Sequence, residues 1–207
     1  MSMPAAVQII RKSSLVPTPW KNGGGITYEA IRVPASAESF LWRVSIAHIE
    51  TAGPFSDFAG YHRTMVLLRG DGMALHFANG ERKVMRQIGE LARFDGALGA
   101  NCELMGGPCM DLNLMVAKSL GKASARVQSL NAPLRLTAST GESVLLACVQ
   151  GTLVLEGGGA ETAALEPGDL AVLTQATHTA LVKPADSSAA PLAFIAGIRT
   201  QTSVLMG

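Results

Sequence analysis

Several features that would announce a function class are missing from this sequence. No apolar run approaches the ~18 residues of a membrane-spanning segment. The opening stretch, MSMPAAVQIIRKSS, puts its basic residues after a short apolar patch, the reverse of a secretory leader. A cytoplasmic chain without a membrane partner is therefore expected. Lys and Arg number 17 against 16 Asp and Glu, a formal charge of +1, and no basic cluster stands out. Sequence-independent nucleic-acid binding needs a basic stripe, so nucleic acid is not expected as a partner. The three cysteines, Cys102, Cys109 and Cys148, are odd in number and lack metal-ligand spacing. They read as buried or free thiols in a reducing compartment. Helical periodicity is almost absent.

What is present is a large stock of core-forming residues. Of 207 residues, 48% are hydrophobic, which is incompatible with a mainly disordered chain. The length fits one large domain or two small ones. Short apolar or alternating runs dominate, among them ITYEAIRV, FLWRVSIAHI, TMVLLRGDGMALHF, MDLNLMVA, ESVLLACVQGTLVLEG, DLAVLT, TALVK and PLAFIAGI. Gly, Pro, Asn and Asp separate them, the pattern of an antiparallel sandwich or barrel.

An internal repeat sharpens that expectation. MVLLRGDGMALHF matches LLACVQGTLVLE with Gly72 on Gly151, and IGELARF matches PGDLAVL with Gly89 on Gly168; both offsets are 79 residues. Glu90 then falls on Asp169, Leu91 on Leu170 and Ala92 on Ala171. Two matches at one offset predict two related β-barrels in tandem. A Gly-acidic turn feeding an apolar strand resembles the cupin pattern, a small double-sheet jelly roll. Cupin metal sites pair two His one residue apart with a Glu and a later His. Here His48, His62, His76 and His178 are all isolated, and a metal site needs three or four convergent ligands. His178 stands near the position of a cupin's last metal His but is offset by one. Both barrels are read as metal-free.

Side chains in a strand alternate between faces. In ITYEA, Thr27 and Glu29 oppose Ile26, Tyr28 and Ala30. In LWRVSIA, Arg43 and Ser45 oppose Trp42, Val44 and Ile46. In MDLNLMV, Asp111 and Asn113 oppose Leu112, Leu114 and Val116. On one reading the polar faces simply meet solvent, as antiparallel sheets often allow. On the other they line a cavity. The second reading gains from the short hydrogen-bonding residues on these faces and from the pairing of one Arg with two carboxylates, which suits an enclosed network. The apolar faces would then pack outward against the second barrel.

Two loops add candidates. GPFSDFAGYHR carries Phe55 and Phe58 as apolar anchors and Ser56, His62 and Arg63 as polar groups within reach of a barrel mouth. It reads either as a packed connection or as part of a site. A guanidinium holds a carboxylate through two parallel bonds and stays charged at any working pH, so Arg63 outranks His62. In KNGGGIT, Gly23, Gly24 and Gly25 follow Asn22. Glycines let backbone N–H groups converge on an anion and let the chain approach a ligand closely; a ligand-free hairpin is the plainer alternative. It is not a P-loop, because the Lys precedes the glycines and no helix follows.

Together these segments resemble the HutD/Ves family. The resemblance rests on WKNGGGITYEA (20–30), FLWRVSIAHIETAGPFSDFAGYHRTMVLLRGDG (40–72) and DLNLMV (111–116), with the most specific motifs in the first 116 residues. It implies a bicupin fold, here a first unit over 1–118 and a cupin-like second over 119–207, packed as one body. It implies a bacterial cytoplasmic protein associated with histidine utilisation that binds a small acidic metabolite such as N-formylglutamate or urocanate in a regulatory role. Carried over residue by residue, the implied site comprises Asn22, Gly23, Gly24, Gly25, Thr27, Glu29, Arg43, Ser45, Phe55, Ser56, Arg63, Asp111 and Asn113. The face and loop readings select these too, and add His62.

The leading expectation is a cofactor-free, metal-free binding protein. Arg43 and Arg63 hold carboxylates, Glu29 and Asp111 orient them or accept a ligand N–H, and Trp20, Trp42 or Phe55 wall the pocket. A rival is a metal-independent cupin isomerase, epimerase or hydrolase using Glu29, Asp111 or His62 as acid or base. A third is a stress-associated structural protein with a vestigial pocket. Exposed strand edges are compatible with a homodimer.

Overall fold

A computed structural model describes residues 7–35, 39–157, 160–174, 179–185 and 190–199. Among them there is no α-helix, only strands and two 3-10 turns, Lys12–Ser14 and Lys118–Leu120. No described helix is long and apolar enough to cross a membrane.

The strands begin with β1 (Val7–Ile10), β2 (Pro17–Pro19), β3 (Gly25–Val33), β4 (Trp42–Ile49), β5 (Gly53–Pro54) and β6 (Tyr61–Arg69). They continue as β7 (Met73–Phe77), β8 (Arg82–Met85), β9 (Leu91–Asp95), β10 (Ala100–Leu104) and β11 (Cys109–Ala117). After a linking turn come β12 (Ser124–Ser129), β13 (Leu134–Thr137), β14 (Glu142–Gln150) and β15 (Leu153–Gly157). The last are β16 (Ala160–Leu165), β17 (Leu170–Thr174), β18 (Thr179–Pro184) and β19 (Leu192–Arg199).

The chain divides into two units, Ser14–Lys122 and a second made of the residues up to Ser13 with those from Ala123 onward. The first unit has a six-stranded sheet, β2-β3-β4-β11-β6-β9, and a four-stranded sheet, β5-β10-β7-β8. Its core joins Ile49, Leu67 and Cys109 of the larger sheet to Met73, Leu75, Met85 and Cys102 of the smaller. The second unit repeats the plan with sheets β1-β17-β14-β19-β12 and β13-β18-β15-β16. Leu146, Leu173 and Ile195 meet Leu136, Leu153 and Leu155 in its core. Each unit is a double-sheet jelly roll, the bicupin arrangement expected from the sequence.

The unit boundary differs from the sequence expectation at the N-terminus. Residues 7–13 belong to the second unit because β1 pairs antiparallel with β17, Val7 opposite Leu173 and Ile10 opposite Leu170. Val7 and Ile10 are buried there; a short apolar strand is stable only when a sheet edge covers it.

The Gly89–Gly168 match is structural as well as sequential, but the Gly72–Gly151 match is not: the ladders pair Leu67 with Cys148 and Arg69 with Gln150, so Gly151 corresponds to Gly70. Gly89 donates to the Leu67 carbonyl at 2.8 Å, and Gly168 donates to the Cys148 carbonyl at 2.9 Å. Leu67 N–H and Cys148 N–H return bonds to the carbonyls of Glu90 and Asp169, both at 3.0 Å. The acidic residue explains itself: the Glu90 carboxylate accepts from the amides of Arg86 and Gln87, and the Asp169 carboxylate accepts from the amide of Glu166. Each closes its own turn.

Candidate functional site

The site is built on the inner face of the larger sheet of the first unit. On β11, Asp111, Asn113 and Met115 stand opposite Ala47, Ser45 and Arg43 of β4. Across the other ladder they stand opposite Leu67, Met65 and Arg63 of β6. Since alternate residues share a face, the row continues into Ile49, Leu67 and Cys109, which pack against Met73 and Leu75 of the opposing sheet. The polar side chains of β4 and β11 therefore point between the sheets, not into bulk water. The reverse face, including Trp42, Val44, Ile46, Leu112 and Leu114, is apolar and buried.

The space between the sheets changes along the strands. Aliphatic and sulfur side chains fill one end. The other opens into a cavity of about 580 Å³, within the usual size of a small-molecule pocket. Arg63 is 5% exposed and enters it surrounded by the rings of Phe94, Phe58 and Phe55, at 5.0, 5.4 and 5.9 Å from its guanidinium carbon. One guanidinium N–H donates to the Ser56 carbonyl at 3.3 Å, and another approaches the Met65 sulfur at 4.0 Å. Its Nε has no partner. Burial lowers the Arg63 pKa to about 10, with Asp111 opposing that shift and Arg43 adding to it.

Arg43 approaches the same Phe58, 5.6 Å from the ring centroid. Its Nε is 3.3 Å from Glu29 Oε2, and its NH2 group reaches Ser45 Oγ at 3.4 Å. Burial lowers its pKa while Glu29 raises it. Deeper in, Asp111 is 1% exposed and neither carboxylate oxygen has a hydrogen-bond partner. Burial raises its pKa to about 7 against the favourable field of Arg63. Asn113 Oδ1 is also buried and unpartnered.

The turn from Trp20 to Gly25 forms part of the rim. Trp20 Nε1 donates to Thr27 Oγ1 at 2.7 Å, and its ring meets Phe55 edge-on at 5.7 Å. Gly25 is needed for this packing: a Cβ there would lie 2.4 Å from the His48 carbonyl oxygen and 3.3 Å from the Trp20 ring. Gly23 has φ +73°, a left-handed conformation that side chains disfavour.

The pocket gathers Asn22, Thr27, Arg43, Ser45, Phe55, Ser56, Arg63, Asp111 and Asn113, as the sequence suggested. It does not gather Gly23, Gly24 or Gly25. The Gly23 amide donates to the Trp20 carbonyl and the Gly24 amide to Asn22 Oδ1, each at 3.0 Å, so these N–H groups close the turn. Glu29 lies outside the lining and bonds Arg32 as well as facing Arg43. His62 is also outside; it neighbours Arg63 in β6 and so points to the other face. Trp42 forms no wall, being buried on the apolar face.

Sequence reasoning missed Lys21, Ala47, Met65 and Met115 as lining residues. Ala47 and Met115 were within its reach, each two positions from a residue already placed inward. Among the described residues no three His, Cys, Asp or Glu converge as metal ligands. His178 lies outside the described residues.

Comparison with known proteins agrees with this architecture. The family model described as HutD matches residues 12–190. An uncharacterized 21.2 kDa protein from the hutC 3' region of Pseudomonas putida is 37% identical over 142 residues, 68% of this chain and 73% of the relative. Protein Ves of Escherichia fergusonii is 34% identical over 109 residues, 52% of this chain and 56% of Ves. Among solved structures, HutD from Pseudomonas fluorescens SBW25 superposes with a TM-score of 0.74 at 27% identity, over 94% of this chain and 100% of that one. Oxalate decarboxylase of Bacillus subtilis, at 10% identity and TM-score 0.59 over 93% of this chain and 76% of its own, shares the fold alone. The chain belongs to the HutD family.

Proposed function

We propose that this protein binds a small carboxylate of histidine degradation, of the class of N-formylglutamate or urocanate, in the cavity of its first unit, and that binding serves regulation of that pathway. One observation carries the reading. Arg43 and Arg63 lie 5.6 and 5.4 Å from the Phe58 ring centroid, and Arg63 is buried without a salt bridge among the described residues. Two like charges taken out of water raise each other's cost, and an anion between them offsets it. The names of the relatives, HutD and a hutC-region protein, support the pathway. The test is a thermal-shift screen of histidine-pathway metabolites. A ligand that prefers the folded state raises its apparent stability in proportion to its affinity. Stabilisation by an acidic metabolite is expected; none by any carboxylate would contradict the proposal.

A second reading, a metal-independent acid–base enzyme, draws on Asp111. A buried carboxyl with a pKa of about 7 is matched to proton transfer near neutral pH. Turnover of the same metabolites by the wild type and its absence in Asp111→Asn would favour that reading.

A further inference from the structure

We infer that Asp111 and Asn113 form an acceptor floor that receives an N–H group of the ligand, so that the pocket selects small carboxylates carrying an N–H donor over carboxylates that lack one. The inference rests on the carboxylate-binding reading above and goes further, because arginines alone would accept any small anion.

The cavity is chemically two-ended. Its cations, Lys21, Arg43 and Arg63, come from the turn before β3, the start of β4 and the start of β6. Asp111 lies on β11 two inward positions beyond Met115, which stands opposite both arginines. At ~3.3 Å per residue that sets the floor roughly 13 Å of strand beyond the backbone of the arginines, while the Arg63 guanidinium leans back as far as Met65, opposite Asn113.

An ionised carboxylate is acceptor-only and buries at high cost unless donors reach it. The protein supplies none to Asp111. Two of the Arg63 guanidinium nitrogens donate to the Ser56 carbonyl and toward the Met65 sulfur, and its buried Nε, though unpartnered, makes no bond to Asp111. The neighbouring thiols point elsewhere, Cys109 to the Gly72 carbonyl at 3.4 Å and Cys102 toward the Glu103 carbonyl at 3.9 Å. Three buried acceptors thus stand open in one pocket: both Asp111 oxygens and Asn113 Oδ1. A ligand N–H fills that vacancy, and a second ligand carboxylate would not unless Asp111 were protonated.

Arg63 on β6 is the charge that acts on Asp111; Cys102 on β10 and Cys109 on its own strand lie in its field, Arg43 on β4 and Asp57 act on Arg63, and Lys21 lies at the rim. Burial keeps Cys102 protonated, its pKa raised to about 12, and Arg63, at about 10, remains charged. Asp111 is therefore the group that changes charge near neutrality. An N–H ligand favours its ionised form, so affinity for such a ligand rises with pH through about 7 and then levels.

The experiment is calorimetry at pH 8 on the full chain with matched probes: urocanate against 3-(2-furyl)acrylate, and N-formylglutamate against N-formyl-N-methylglutamate. The N–H member of at least one pair is expected to bind about tenfold or more tightly, since a site that hydrogen-bonds a polar group rejects the analogue without it. In Asp111→Leu, or in the isosteric Asp111→Asn if the leucine variant does not fold, that preference should shrink several-fold while the N–H-free probe still binds. Equal affinities within each pair in the wild type, or an undiminished preference in both variants, overturns the inference and leaves carboxylate binding standing. Binding of none of the four probes overturns both.

Discussion

In the first unit Leu67 N–H bonds the Glu90 carbonyl, and in the second Cys148 N–H bonds the Asp169 carbonyl, which makes β6 and β14 equivalent strands. Counting back along each, Met65 corresponds to Leu146 and Arg63 to Val144. Across the ladder Asp111 faces Leu67 while Ala193 faces Cys148, so Asp111 corresponds to Ala193 and Asn113 to Ile195. Val144, Leu146, Ala193 and Ile195 all belong to the second unit's apolar core. The same ladder thus carries a charged, hollow interior once and a buried aliphatic cluster once. The frame does not require the arginine, the carboxylate or the amide. They occupy positions where hydrophobic residues fold the same way, and their desolvation makes sense as preparation for a ligand.

The sharpest break of that comparison is an exchange between units. Val144→Arg places an unpaired guanidinium in a packed aliphatic core and should cost on the order of 4 kcal/mol or more in denaturant unfolding. The reverse change, Arg63→Val, should cost little or stabilise, because hydrophobic replacement of a buried charge is often neutral. Equal costs would mean the two interiors are not different in kind.

Next in size is binding. Arg63→Ala should weaken an acidic ligand by about 2–5 kcal/mol if the pair is desolvated, read as the ratio of dissociation constants by calorimetry. Unchanged affinity removes Arg63 from the site.

Asp111 gives a pH signature that its counterpart in the second unit, Ala193, cannot give. Its folded pKa is raised to about 7 from an ordinary 3.8, so the folded state prefers the protonated form. That contribution is present below about pH 4 and is lost as pH rises through 7. Asp111→Asn should therefore gain stability relative to the wild type between pH 4 and pH 8, by roughly 2–4 kcal/mol. A constant difference across that range would contradict the burial assigned to the carboxyl.

The smallest effect concerns the glycine turn. Gly23→Ala forces a side chain into φ +73° with nothing within 4 Å to obstruct it, a conformational cost of about 1 kcal/mol. Ligand affinity should not change, because the turn's amides are spent internally.

Strands rich in alternating aliphatics were legible from sequence: β3, β4, β6, β7, β11, β14, β15, β17, β18 and β19 all coincide largely with runs that stand out. Edge strands were not. β2 is PTP and wholly exposed, and β8 is RKVM with only Met85 buried. With one face or both in water, such strands carry no apolar rhythm to read. The inward row Arg43–Ser45 and Asp111–Asn113 followed from alternation and held. The same rule opposes His62 to Arg63, so including His62 contradicted the principle that found the rest. The glycines could not be settled from sequence, because whether an amide faces a ligand or closes a turn depends on bonds such as Gly24 to Asn22.

The most direct test of the central claim is a crystal structure of the full chain grown with the carboxylate that gives the largest thermal shift. The account predicts density for one molecule in the first unit, its carboxylate against Arg43 and Arg63. A carboxylate bound elsewhere, with the space between those two arginines holding only water, would contradict it.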